Sequence, residues 1–206
     1  MPQTYRAAWV PDDDPERERD DALALGARWI DRAGGEPSAE PVLITDTRRS
    51  ISPAVDQLAE RYQHVTPHAS HHLPPGAAPV LAYVPSLKAL ESAIRLAQGS
   101  PLAVVESVAH PMRGWALQVG ALDLTRPHDA PVTMDARTAD ALSRLRTYSG
   151  NAFAPASDRR DAEAVLRQLD AEGLLDRDLV CGAMTAMELS GHAVKKLAKL
   201  IDSLER

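Results

Sequence analysis

One apolar run of the chain ends on reactive side chains. Residues 102–105, LAVV, pass directly into Glu106 and Ser107, and His110 and Arg113 follow within seven residues. A carboxylate, an imidazole and a guanidinium at one strand end are the parts of a general base, an acid/base partner and an anion clamp. Glu106 can equally accept a hydrogen bond from a ribose-type hydroxyl. The plainer alternative is that Glu106 and Ser107 satisfy backbone donors, while Arg113 faces water.

A second polar run, Thr45, Asp46, Thr47 and Arg48, closes the apolar stretch 41–44, and Ser86 follows the apolar stretch 79–84. Asp46 has the chemistry to bind a metal or a ligand hydroxyl, or to cap local amides. The adjacent Arg48 and Arg49 suit a phosphate. Glu106, His110 and Asp46 are therefore the candidate catalytic residues. Thr45, Thr47, Arg48, Ser86, Ser107 and Arg113 are the candidate ligand contacts.

These residues need a scaffold that brings strand ends together. Residues 4–10, 41–47, 79–86 and 101–107 read as strands, and 121–124 as one more; the three central runs are apolar without alternation, the form of a strand buried on both faces. Between them the pattern is helical. A long amphipathic stretch opens at Pro15 and stops at Gly34-Gly35, Ser52-Pro53 supplies a cap and first-turn proline, Ser86 caps residues 87–98, and 112–119 is again helical. Residues 64–79, with four histidines and four prolines, read mostly as a loop with a short strand at its start, and proline-rich mobility favours solvation over a metal site. Alternating strands and helices predict a Rossmann-like, mostly parallel sheet covered on both faces, over residues 1–125. In such a sheet ligands bind beyond the strand carboxyl ends, where Asp12 to Asp14, Asp46, Ser86, Glu106 and His110 fall. If the strands are neighbours, Asp46, Ser86, Glu106 and His110 share one crevice.

Residues 136–147, 158–172, 176–188 and 191–204 have helical periodicity, so an all-helical subdomain is expected over 135–206. The terminal MELSGHAVKKLAKLIDSL resembles the second half of a helix-hairpin-helix DNA-backbone motif, with His192 where that motif has its second glycine. The resemblance implies that Lys195, Lys196 and Lys199 face phosphate. An amphipathic helix with solvated lysines explains the same residues.

Composition narrows the classes further. The formal net charge is -6, and neither part of the chain is basic: residues 1–134 carry 12 Lys and Arg against 17 Asp and Glu, residues 135–206 carry 11 against 12. No apolar run approaches the roughly 20 residues that span a bilayer, and no secretory leader pattern opens the chain, so a cytoplasmic protein without membrane partners is expected. The lone Cys181 reads as a small buried hydrophobe. No GxGxxG, GxxxxGK[ST] or GxSxG follows any strand, which disfavours conventional dinucleotide-dependent dehydrogenases, P-loop nucleotidases and α/β-hydrolases. No motif names a cofactor. Three readings remain: a module that holds a small anionic, nucleotide-like ligand at the strand ends while its helical part contacts a protein partner; a hydrolase or transferase using Glu106, His110 and Asp46; and a protein that contacts nucleic-acid phosphate through its last helix.

Overall fold

A computed structural model of the chain describes residues 5–33, 40–49, 52–76, 78–129 and 133–204. Six strands, β1 (Ala7–Val10), β2 (Val42–Ile44), β3 (Gln63–Val65), β4 (Val80–Tyr83), β5 (Leu102–Val105) and β6 (Leu122–Asp123), form one sheet in the order β3-β2-β4-β5-β1-β6. Every pairing is parallel, with β5 flanked by β4 and β1. The fold is α/β and Rossmann-like, with further helices at the carboxyl-terminal side of the chain. All four residues of β4 and all four of β5 are buried. That is why their sequences are continuously apolar: a central parallel strand meets a helix layer on each side.

Side-chain alternation divides the core in two. Val10, Leu43, Leu81, Tyr83, Ala103 and Val105 pack beneath α1 (Arg19–Ala33) and α2 (Pro53–Ala59). Trp9, Val42, Ile44, Val80, Ala82, Leu102 and Val104 pack against α3 (Leu87–Leu96) and α4 (Arg113–Val119). The chain leaving β1 therefore turns to one face, and the chain leaving its neighbour β5 turns to the other. The same divergence occurs between β2 and β4. Parallel α/β sheets hold ligands at such reversals, where departing loops open a gap.

Three local features differ from the sequence expectation, each for a physical reason. Helix α1 starts at Arg19 rather than at Pro15, because residues 14–17 form a turn in which the Arg17 amide donates to Asp14 O (3.1 Å) and the Arg17 guanidinium donates to Pro11 O (2.7 Å). The histidine-rich segment contains a 3-10 helix (Ala69–His72), pinned to α3 by the Arg95 guanidinium, which donates to the carbonyls of Leu73 and Ser70. Strand β1 is confined to Ala7–Val10, where backbone pairing to β5 exists. The Gly34-Gly35 stop lies outside the described residues.

Helices α5 (Ala136–Tyr148), α6 (Ala156–Ala171), α7 (Arg177–Ala186) and α8 (Gly191–Leu204) share a buried cluster that includes Leu142, Leu145, Leu166, Val180, Met184, Leu197 and Ile201. Asp135 caps α5 and Asp176 caps α7, each accepting two backbone amides on its carboxylate. These helices join the sheet layer chiefly where α7 crosses α4. The crossing is made by glycine: a Cβ on Gly114 would lie 2.0 Å from Leu179 O, and one on Gly182 would lie 3.1 Å from Trp115 N. Main chain meets main chain there, with Trp115 fully buried beside it. Cys181 is buried on α7, and burial pushes its thiol up to about 11, so it acts as core. Among the described residues no helix is long and apolar enough to cross a membrane.

Candidate functional site

The reversal between β5 and β1 carries the least ordinary chemistry of the sheet edge. Glu106 follows β5 directly, and its amide continues the ladder by donating to Val10 O (3.0 Å). Its side chain is half-buried, and Oε2 has no hydrogen-bond partner among the described residues. Burial raises the carboxyl from 4.5 to about 7; the Met112 amide and Arg113 work against that rise, and the nearby Asp12 and Asp13 reinforce it. A carboxyl in this setting changes protonation near neutrality, so it can donate or accept a proton there. The next residue, Ser107, is buried, and its Oγ also lacks a partner among the described residues. Two adjacent orphaned polar atoms are unusual, since buried polar groups are nearly always paired.

The surrounding loops are held tightly. The Val108 amide donates to Asp12 Oδ2 (2.8 Å), and His110 N donates to Ser107 O (2.9 Å), closing a turn over the end of β5. Val108 stands 76% exposed at its tip. Across from Glu106, at the end of β4, Val84 has φ 47. A β-branched residue in the left-handed region is a true outlier, strained by about 1–3 kcal/mol, and such strain concentrates at functional sites. The space enclosed by Pro11, Asp12, Arg17, Tyr83, Val84 and Glu106 is about 10 Å³. That space holds no more than about one water, so a larger ligand requires the surrounding loops to move apart.

The structure brings Asp46 and Ser86 together and uses them for architecture. The Ser86 amide donates to Asp46 Oδ2 (2.8 Å), the Ser86 hydroxyl donates to Asp46 Oδ1 (2.6 Å), and Ser86 Oγ accepts from the Ala89 amide (3.3 Å) at the start of α3. This arrangement caps α3 and places a carboxylate at its positive end. It also bridges the second reversal, between β2 and β4. Replacing Asp46 with alanine is expected to cost about 1–2 kcal/mol. The check is a denaturant melt, with S86A giving a similar loss and the double variant little more than either alone.

Thr45, Thr47 and Arg48 form a separate network at the sheet edge. Thr45 is fully buried; its Oγ1 lies 2.6 Å from Thr47 O and 2.7 Å from His64 Nε2, while the Arg48 guanidinium donates to His64 O (3.2 Å). Because the Thr45 hydroxyl has one proton and donates it to the Thr47 carbonyl, His64 Nε2 carries the hydrogen between them. Burial and Arg48 lower the His64 pKa, favouring this neutral form. His110 and Arg113 are exposed, and no hydrogen bond joins His110 to Glu106 among the described residues.

The four candidate positions at the strand ends thus divide: Asp46 with Ser86 at one reversal, Glu106 half-buried at the other, and His110 exposed on the turn that follows it. Val84 and Tyr83 were not singled out from sequence. Nothing in a Val-Pro pair announces a left-handed valine, since the residue before proline is normally extended.

On α8, Lys195 and Lys199 are exposed and Lys196 is half-buried, while Ala193, Val194, Leu197, Leu200 and Ile201 form the buried side. The three lysines and His192 fall within one helical face opposite that core. None of the three lysines is in an ion pair among the described residues. The Gly191 amide, which the helix-hairpin-helix resemblance would direct to phosphate, donates instead to Glu91 Oε1 at 3.3 Å. No group of three or more metal-ligating side chains occurs among the described residues.

Comparison of the chain with family models, with curated proteins and with solved structures finds no match.

Proposed function

We propose that the protein binds a small anionic ligand at the carboxyl edge of its sheet, over β5, with Glu106 as the group that senses and positions it. The observation that carries this reading is the half-buried carboxyl of Glu106 at a strand-order reversal, with Oε2 unpartnered among the described residues. With burial raising its pKa to about 7, Glu106 is protonated in about half of the molecules at neutrality and in most of them at pH 6. In that form it donates a hydrogen bond, and Ser107 Oγ is a second donor. Arg113, exposed on the first turn of α4, supplies positive charge. The ligand enters by displacing the 107–110 turn, whose release costs the Val108–Asp12 hydrogen bond. A hydrolytic or transfer role for Glu106 with His110 requires that turn to rotate His110 inward, so binding is the simpler use of the same groups.

Thermal-shift measurements with nucleoside monophosphates, sugar phosphates and dicarboxylates at pH 6 and pH 8.5 test the proposal. At least one compound is expected to raise the melting temperature, more at pH 6 than at pH 8.5, with the effect lost in E106A. The proposal fails if no compound stabilises the protein at either pH, or if E106A responds as the native chain does.

The lysine face of α8 supports a second reading, contact with nucleic-acid phosphate. It rests on the lysines alone, because the Gly191 amide is occupied. Binding of a fluorescent duplex is expected to weaken as salt rises from 50 to 200 mM, with a log–log slope of about -2 to -3 for three contacts. Unchanged binding by the K195A/K196A/K199A variant would remove this reading.

A further inference from the structure

A cavity of about 290 Å³ lies between the sheet layer and the carboxyl-terminal helices, away from the β5 edge. One wall is the outer stripe of α3, with Lys88, Glu91 and Arg95 at helical spacing; the other is the turn between α7 and α8, with Glu188 and Leu189. Ile94 and Leu189, both buried, form its apolar lining. Two cations and two carboxylates thus face one small space, and none of the four is in an ion pair among the described residues. Three of them have hydrogen-bond partners that are not carboxylates or cations of this group. Lys88 Nζ lies 3.2 Å from His68 Nε2, the Arg95 guanidinium donates to main-chain carbonyls, and Glu91 accepts from the Gly191 amide.

The backbone adds an independent observation. Glu188 has φ 61, and its neighbours close the end of α7: the Glu188 amide donates to Thr185 O (3.0 Å) and the Leu189 amide to Met184 O (3.1 Å). Helix ends of this form usually place glycine at the left-handed position, because a side chain there is strained. A glutamate held in that conformation, on the wall of a cavity, retains a carboxylate where stability alone favours glycine.

We infer that the cavity between α3 and the α7–α8 turn binds a small zwitterion, an α-amino acid with an apolar side chain. Lys88 and Arg95 receive the ligand carboxylate, Glu188 and Glu91 receive its ammonium, and Ile94 and Leu189 take the side chain. Both charge signs are required because a simple anion would meet two carboxylates and a simple amine two cations. Binding here joins α3 to α7 and α8, so it ties the sheet layer to the carboxyl-terminal helices.

The test uses the full chain and three probes of nearly equal shape: L-leucine, 4-methylpentanoate without the amine, and isopentylamine without the carboxylate. Amide chemical-shift titration by NMR is expected to show saturable L-leucine binding at the amides of Ser92, Thr185 and Leu189, with a dissociation constant of about 1 mM or tighter. Each half-charged analogue is expected to bind at least about tenfold more weakly, and K88M to weaken L-leucine by a similar factor. Glu188→Gly gives a distinct signature. It relieves the strained backbone and is expected to raise the melting temperature by about 2 °C while abolishing L-leucine binding. The inference is overturned if L-leucine produces no saturable shift at up to about 10 mM, if the analogues bind as well as it does, or if E188G keeps full binding. Shifts confined to the amides around Glu106 would also overturn it, and would assign the ligand to the β5 edge instead.

Discussion

Gly114→Ala is expected to lower the melting temperature by about 6–12 °C, the equivalent of about 3 kcal/mol in a chain of this size. The added methyl would sit 2.0 Å from Leu179 O and 2.6 Å from Leu179 C, both main-chain atoms, so no side-chain rotamer can relieve the clash. Helix α7 must move off α4, and with it the contact that joins the carboxyl-terminal helices to the sheet layer. Trp115, fully buried at this crossing, reports the change: its fluorescence should shift to the red in G114A. Gly150→Ala is the control, because nothing lies within 4 Å of a Cβ there. Its melting temperature is expected to stay within about 1 °C of the native value. Equal stabilities for G114A and G150A would mean that the α4–α7 crossing is not the tight joint described.

The second large effect concerns Glu106 and pH. Its carboxyl is raised from 4.5 to about 7 in the folded protein by burial, against the opposing pull of the Met112 amide and Arg113. Between those values the folded chain keeps a proton that the unfolded chain releases. The associated stability is fully present below about pH 4.5 and is lost as pH rises through about 7. Because Glu106 is only half-buried, solvent screening reduces the effect to about 1–2 kcal/mol. Glu106→Gln removes the ionisation while keeping the shape. It is expected to melt about 3–6 °C above the native protein at pH 8 and within about 1 °C of it at pH 5. A variant that loses stability equally at both pH values would show that Glu106 is an ordinary ionised carboxylate holding the turn in place.

The layer architecture was legible because burial on both faces leaves a plain mark on sequence. LAVV and VLAY carry no polar residue for four positions, and Ser52-Pro53 and Ser86 mark helix starts through the amides they cap. Strand order was not legible, since β4, β5 and β1 look alike as apolar runs while their positions depend on which helix covers which face. The reversal beside Glu106 follows from that order. Glu106 stood out by residue type and place, but its orphaned oxygen depends on how the segments after β1 and β5 meet around it, and no local spacing encodes that. The Asp46–Ser86 pair was legible as two polar residues at strand ends, and its capping use became clear only when β2 and β4 proved adjacent. Val84 and Glu188 left no sequence signal, because left-handed backbone is announced by glycine or asparagine and neither is present. The Gly114–Gly182 contact was hidden for a related reason: each glycine lies within an otherwise ordinary helical pattern.

Glu106 is proposed as a proton-exchanging ligand group at the sheet edge, and its ionisation can be observed directly. Carbon-13 NMR of the glutamate side-chain carboxyl, assigned by comparison with E106Q, follows Glu106 across pH 4 to 9. A midpoint near 7, moving upward when a stabilising anion from the thermal-shift panel is added, is the expected result, since an anion that accepts a hydrogen bond favours the protonated form. A midpoint near 4.5 that no anion displaces would contradict the account.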